Sequence, residues 1–279
     1  MPICADIRPA SADDAVAIAE LMRASVSETV RRITILGSPH LARFVADQIA
    51  SAQGDEYSVS VLGPHVVGVC VWRLTHQRVQ LNHLYLAPDV RGQGLGPKLI
   101  LEGLRRHQAT SDRRLSVEVF FDNPQARTWY RSWGMRREQH LKWVQIPLPL
   151  LQSLENVRCV ITGLSEANER HSRYGFSQLS LSTPIARYAI GRLGDGLFRT
   201  TSFSILQDPA ALQGLARIGS QRHLLCVGSV THAALARMES ATVVAESERL
   251  VTSNAAAINS LEFSVSDQRP LRRQTSVRH

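Results

Sequence analysis

Lysine is almost missing from this 279-residue chain: only Lys98 and Lys142 stand among 32 basic residues, and the other thirty are arginine. Cysteine is scarce as well. Cys4, Cys70, Cys159 and Cys226 lie far apart with no C-x-x-C pair, which excludes a zinc-type spacing and a disulfide framework. A reducing, cytoplasmic setting is expected on that ground. No apolar run approaches bilayer length, so no membrane role is expected. The opening MPICADIRPASADD lacks the apolar core of a secretory leader. Aromatics are few, 6%, and no basic stripe interleaves with them, so nucleic acid is not an expected partner. His171, His223 and His232 are isolated, and no metal is expected.

What is present suits a folded chain. The apolar share of 44% supports a packed core, and the length allows one large domain or two ordinary ones. The net charge of +8 is spread evenly: residues 1–147 carry 18 basic and 14 acidic residues, and residues 148–279 carry 14 and 10. The second half owes its excess to Arg269, Arg272, Arg273 and Arg278. The surplus reads as a dispersed, solvated surface with a basic tail.

Hydrophobic spacing orders the first half as β-α-α-β-β-β-α-β-α-β. Ile7–Pro9 reads as a strand, and Ile18, Leu21, Met22 and Val26 follow at helical spacing. Ser38-Pro39 reads as the start of a second helix through Leu41, Phe44, Val45 and Ile49. Strands follow at Tyr57–Val61, Val66–Trp72 and Val79–Leu86, then a helix through Leu99 and Leu104, a strand at Leu115–Val119, a short helix at Asn123–Trp133, and a strand through Leu141 and Trp143. This is an α/β layer fold with a mixed central sheet flanked by helices. Pro147-Leu148-Pro149 marks a boundary. The expected division is 1–147, a second, smaller α/β domain at 150–267, and a disordered basic tail at 268–279. The second domain reads as strands at Phe176–Leu181, Arg187–Ile190 and Leu197–Phe203, a helix from Asp208-Pro209, a strand at His223–Val227, a helix at His232–Met238 and one or two strands at Thr242–Val251.

One segment carries chemistry. In LNHLYLAPDVRGQGLGPKLI, residues 81–100, a strand runs into a turn, three glycines at alternate positions and a helix. Glycine lets backbone approach a ligand with no Cβ in the way. The first amides of a helix lack internal partners and point outward, so the segment can cradle an anion. A Walker loop needs Gly-Lys-Ser/Thr after its last glycine, but Pro97-Lys98-Leu99 follows here. A dinucleotide fingerprint needs G-x-G-x-x-G, but the spacing here is G-x-G-x-G.

The run Leu84-Tyr85-Leu86-Ala87-Pro88 and then Arg91-Gly92-Gln93-Gly94-Leu95-Gly96 resembles the coenzyme A loop of the GNAT acetyltransferases. Asn123, Ala126, Tyr130 and Gly134 match that family's later motif, Asn-x-x-Ala-x-x-x-Tyr-x-x-x-Gly-Phe, with Met135 in place of Phe. Pro97 departs from the pattern too and removes one amide donor. The resemblance covers about residues 6–147 and implies acetyl-coenzyme A as co-substrate of an N-acetyltransferase. It implies that Leu84 and Leu86 pair with the pantetheine arm, that the Gly92–Gly96 backbone holds the pyrophosphate with charge from Arg91, and that Asn123 also contacts the cofactor. Tyr130 would protonate the departing thiolate. A base must free the attacking amine; Glu118, His83 and a water chain all stand as options. The implied acceptor is a small-molecule primary amine. Acetylation of a protein lysine or N-terminus, and a coenzyme A-binding regulator without catalysis, stay open. The second half loosely echoes the later part of the same fold, but its loop, Ser204–Pro209, has no glycine. It would shape the acceptor pocket or make a homodimer interface, and one active site per chain is expected.

Overall fold

The computed structural model describes residues 5–266, apart from 52–53, 76–77, 108–113, 149–157, 232–234 and 236–239. In the first half these residues form β1 (Asp6–Pro9), α1 (Ala15–Ala24), α2 (Glu28–Ile33), α3 (Leu41–Ser51), β2 (Glu56–Leu62), β3 (His65–Leu74) and β4 (Arg78–Leu86). Then come α4 (Leu95–Arg106), β5 (Arg114–Phe120), α5 (Pro124–Ser132) and β6 (Arg136–Pro147). The second half holds β7 (Val160–Thr162), α6 (Leu164–Tyr174), β8 (Phe176–Ser182), β9 (Arg187–Leu193) and β10 (Leu197–Thr200). It continues with α7 (Pro209–Gly219), β11 (His223–Gly228), β12 (Thr242–Ser253) and α8 (Asn254–Ser266).

Several elements differ from the sequence reading, each for a local reason. α2 is extra. It has six residues and buries only Val30 and Ile33, too few to register as a period. Its start is fixed by the Ser27 hydroxyl, which accepts the Val30 amide at 3.2 Å. α3 begins at Leu41 rather than at Ser38-Pro39, because the Ser38 hydroxyl donates to the Tyr174 carbonyl and accepts the His40 amide. α6 was hidden by its polarity: only Ala167 and Tyr174 are buried on it. The strand read as Leu197–Phe203 stops at Thr200, and a 3-10 turn, Phe203–Gln207, follows. α8 extends the chain beyond the last strand. The helix read at 232–238 and the tail at 268–279 fall almost wholly outside the described residues.

All twelve strands join one sheet in the order β1-β2-β3-β4-β5-β12-β6-β11-β10-β9-β8-β7. Exchanging each strand for its counterpart in the other half reverses this order onto itself. The two halves therefore follow one plan, and each lends its sixth strand to the other. β12 lies between β5 and β6, antiparallel to both, and β6 lies between β12 and β11. Helices α4 and α8 cover one face of the first half through Leu99, Leu104, Ala257 and Leu261. The halves also share a core, in which Ile33 of α2 packs with Trp143, Phe176, Leu193 and Leu225. Ile33 is fully buried there, and burial of a side chain of its size contributes about 1.5–3 kcal/mol.

One irregularity shapes the functional region. Val71 and Trp72 of β3 face His83 and Leu81 of β4, so Asn82 is an unpaired bulge residue. A bulge bends its strand and ends pairing. β4 runs parallel to β5 only from Arg78 to Leu81, and beyond Asn82 the two strands part. The Asn82 amide donates to Asp55 at 2.8 Å, and Asp55 is held by Arg73 at 2.7 and 2.8 Å.

Candidate active site

The gap between β4 and β5 is a cavity of about 280 Å³. Its walls carry His83, Leu84, Arg91, Glu118, Asn123 and Tyr130. Six residues picked out by the sequence thus meet in one place. The β4 edge from Asn82 onward faces the cavity without a partner strand, which leaves backbone groups for an extended ligand to pair with.

Tyr130 sits on α5. Asn123 caps that helix by accepting the Ala126 amide at 3.0 Å, and Pro124 follows at the first helical position. The phenol is 6% exposed and packs against Trp129 and Trp133. Its hydroxyl has no hydrogen-bond partner among the described residues. Burial pushes its pKa well above the ordinary tyrosine value, with Cys70 and Tyr85 adding to the effect. The group therefore holds its proton at neutral pH. His83 stacks on Tyr85. Burial pushes its imidazole down to about 4, against the attraction of Asp55, so it is neutral across the physiological range.

Glu118 is tied to the lent strand. Ser247 of β12 donates to Glu118 Oε1 at 3.0 Å, and Ser247 itself accepts the Trp143 indole N–H at 3.0 Å. Arg249 stands 3.7 Å from Glu118 Oε2. The next residue along, Glu248, is fully buried. It takes Arg127 at 2.8 Å and Arg131 at 2.9 and 2.8 Å, both from the helix that carries Tyr130. Burial pushes the Glu248 carboxyl up, but the two guanidiniums outweigh it and hold the pKa below the usual range. The second half thus braces both the tyrosine helix and Glu118. Sequence reasoning missed Ser247, Glu248 and Arg249, which lie more than a hundred residues from their partners. Three charges, Glu246, Glu248 and Arg249, within one strand-like run were the available hint.

The glycine segment leads into α4. Gly92 and Gly94 take φ of 72° and 78°, left-handed values that favour glycine. The amides of Gly92, Gln93, Gly94, Leu95 and Gly96 meet no backbone carbonyl among the described residues. Added to the α4 dipole, these amides are an arrangement of donors that can receive an anion. Two side chains brace it: Arg91 donates to the Leu86 carbonyl at 3.0 Å, and Gln93 donates to the Asp89 carbonyl at 2.8 Å. The Leu86 carbonyl is therefore already engaged within the chain. Gly96 is tight for another reason, since a Cβ there would come within 3.3 Å of Trp129. Past Pro97, the Lys98 amide already turns back to the Gly94 carbonyl.

Residues 25–135 match the acetyltransferase (GNAT) family. A stretch of 72 residues is 31% identical to a Bacillus subtilis (strain 168) protein named as a ribosomal protein bS18 alanine N-acetyltransferase. That stretch is 26% of this chain, and the chain covers about half, 48%, of the relative's length. The whole fold is similar to a tandem GNAT protein from the clavulanic acid biosynthesis pathway, with a TM-score of 0.62 at 12% identity over 90% of this chain and 98% of that one. A protein described as an acetyltransferase from Pyrococcus horikoshii gives the same score and identity over 89% of each chain. At such identities the likeness is one of fold. Among the described residues no cluster could hold a metal ion, and no helix is long and apolar enough to cross a membrane.

Proposed function

Residues 25–135 form a GNAT-family acetyltransferase domain, and from that premise we propose that the chain moves an acetyl group from acetyl-coenzyme A to a primary amine. The observation that carries this reading is the meeting of Tyr130, Glu118 and the open β4 edge around one cavity beside the glycine cradle. Coenzyme A fits what is there: the free amides from Gly92 to Gly96 suit its pyrophosphate, and the unpaired edge past Asn82, with Leu84 on it, suits its pantetheine arm. When bound it supplies a thioester as acyl donor. Glu118, or His83, takes a proton from the acceptor ammonium, which frees the nitrogen lone pair for attack on the thioester carbonyl. A β4 amide polarises the carbonyl oxygen. As the carbon–sulfur bond breaks, Tyr130 gives its proton to the sulfur, and the second proton that the nitrogen sheds on becoming an amide returns to the phenolate. Asn123 lines the same cavity and touches the cofactor with whatever its capping role leaves free.

For the acceptor, the small cavity favours a small-molecule amine. A second reading, acetylation of a protein N-terminus, is favoured by the Bacillus subtilis relative, whose name gives a ribosomal protein alanine as its target. Release of free thiol from acetyl-coenzyme A, followed across a panel of amines and a panel of peptides, separates the two. Turnover with amines alone supports the first reading and turnover with alanine peptides supports the second. Coenzyme A binding without turnover on either panel would leave a regulator, and no binding would end the proposal.

A further inference from the structure

A larger cavity, of about 780 Å³, opens on the other side of α2, between that helix and the starts of β10 and β11. Ser27 and Val30 face the first cavity, while Glu28, Arg31 and Arg32 line the second, with Arg23 beside them. None of the three arginines makes an ion pair or a side-chain hydrogen bond among the described residues. The Nε of Arg31 is shielded from solvent and has no acceptor. Across the cleft, His171 contacts Asp195 at 3.3 Å through Nε2, and its Nδ1 is buried and unpaired.

The acids do not balance this wall. Asp195 is already shared between His171 and Arg222, which leaves Glu28 alone against three guanidiniums. A buried donor without an acceptor is destabilising, and native proteins normally satisfy such groups with water, an ion or a ligand. Guanidinium forks match the paired oxygens of phosphate and carboxylate. The volume falls in the range of small-ligand sites. The sequence suggested a dispersed basic surface, but folding gathers Arg23, Arg31 and Arg32 at this one cleft.

We propose that the cleft binds a small, multiply charged anion bearing phosphate or carboxylate groups, held by Arg31 and Arg32 and separate from the Gly92–Gly96 cradle. Its occupant would touch the helix whose opposite face closes the 280 Å³ cavity. This inference stands on residues outside the coenzyme A reading and survives that reading's failure.

The test is calorimetric titration of the full chain with pyrophosphate and, separately, with citrate at low salt. The wild type is compared with Arg31→Ala/Arg32→Ala and with Arg91→Ala. At least one probe should bind, and the double variant should weaken it by about 10-fold or more. Arg91→Ala should leave the part of the binding that the double variant loses within about twofold of wild type, since Arg91 sits on the other cradle, whose own hold on pyrophosphate is separate. Preference for pyrophosphate or for citrate identifies the group recognised. The double variant should melt no lower than wild type, because the guanidiniums it loses satisfy nothing in the fold. Arg31→Lys/Arg32→Lys should keep part of the affinity, carrying the charge without the fork. Equal affinity in wild type and double variant, or no binding of either probe, overturns the proposal.

Discussion

The two halves each follow a strand with a helix at the same point in their order, and they treat the start of that helix in opposite ways. α4 starts from Gly94 in a left-handed conformation, with the preceding amides free. α7 starts from Asp208, which is 1% exposed. That carboxylate accepts the Ala211 amide at 3.1 Å, the Thr183 hydroxyl at 2.6 Å and the Tyr188 hydroxyl at 3.0 Å. The second half has built an anion into its own helix terminus, where the first half leaves room for one from outside. The strands differ in the same sense. β4 is bulged at Asn82 and parts from β5, whereas all four residues of β10 pair with β11. One plan yields an open unit and a closed, supporting one. The support is physical, because β12 brings Ser247, Glu248 and Arg249 into the first half.

If chemistry belongs to the first unit, the largest effect should follow from Tyr130→Phe. Removing a general acid typically costs about 10²–10⁴-fold in kcat. Coenzyme A affinity should stay nearly intact, and steady-state kinetics with calorimetry reads both. Turnover at the wild-type level would move the acid role elsewhere. Next comes the contrast between the helix starts. Gly94→Val forces a branched residue into a left-handed conformation in the cradle, and should cut coenzyme A affinity by about 100-fold. Asp208→Asn should leave one coenzyme A per chain, since its site already serves the fold. A second binding event in either protein breaks the comparison.

A smaller effect tests the support role. Glu248→Gln leaves Arg127 and Arg131 without their counter-charge. Their side chains are 21% and 48% exposed, so water softens the loss. About 2 kcal/mol is expected, below the full cost of breaking a buried pair. If β12 only filled the sheet, melting temperature would fall while kcat of the folded fraction held. If it positions the tyrosine helix, kcat falls as well, with little change in KM. In acid the wild type should lose this stabilisation. It is fully present above the usual glutamate pKa and fades as pH falls through the lowered folded value.

Much of the first half was legible because its signals are local. The alternation of β2, the Gly92–Gly96 spacing and the Asn123–Tyr130 spacing each lie within one short window. The bulge was not legible, because Asn82 becomes an extra residue only against the register of β3. α2 and α6 escaped because they bury two residues each. The lent strands and the Ser247, Glu248 and Arg249 contacts depend on where distant segments meet, which no spacing records. In the second half, the glycine-free loop was legible, but the reason for it, the buried Asp208, needed Thr183 and Tyr188 in space.

The last contrast concerns His83, which faces the cavity in the open unit. Its folded pKa is about 4, below the usual unfolded value of about 6.5. A depressed imidazole is neutral when folded and takes a proton more readily when unfolded. Above about pH 6.5 neither state is protonated, and His83 contributes no slope. Between 6.5 and 4 the unfolded chain gains a proton that the folded chain refuses, so stability should fall by about 1.4 kcal/mol per pH unit. His83→Asn removes the titrating group, and urea midpoints across that window should lose this part of the slope. The same variant sharpens the assignment of the base. A wild-type rate in the variant at pH 8 leaves Glu118, braced from β12, or a water chain as the proton acceptor. A loss of rate there without a change in coenzyme A affinity gives that task to His83, and the support from β12 then serves the acid alone.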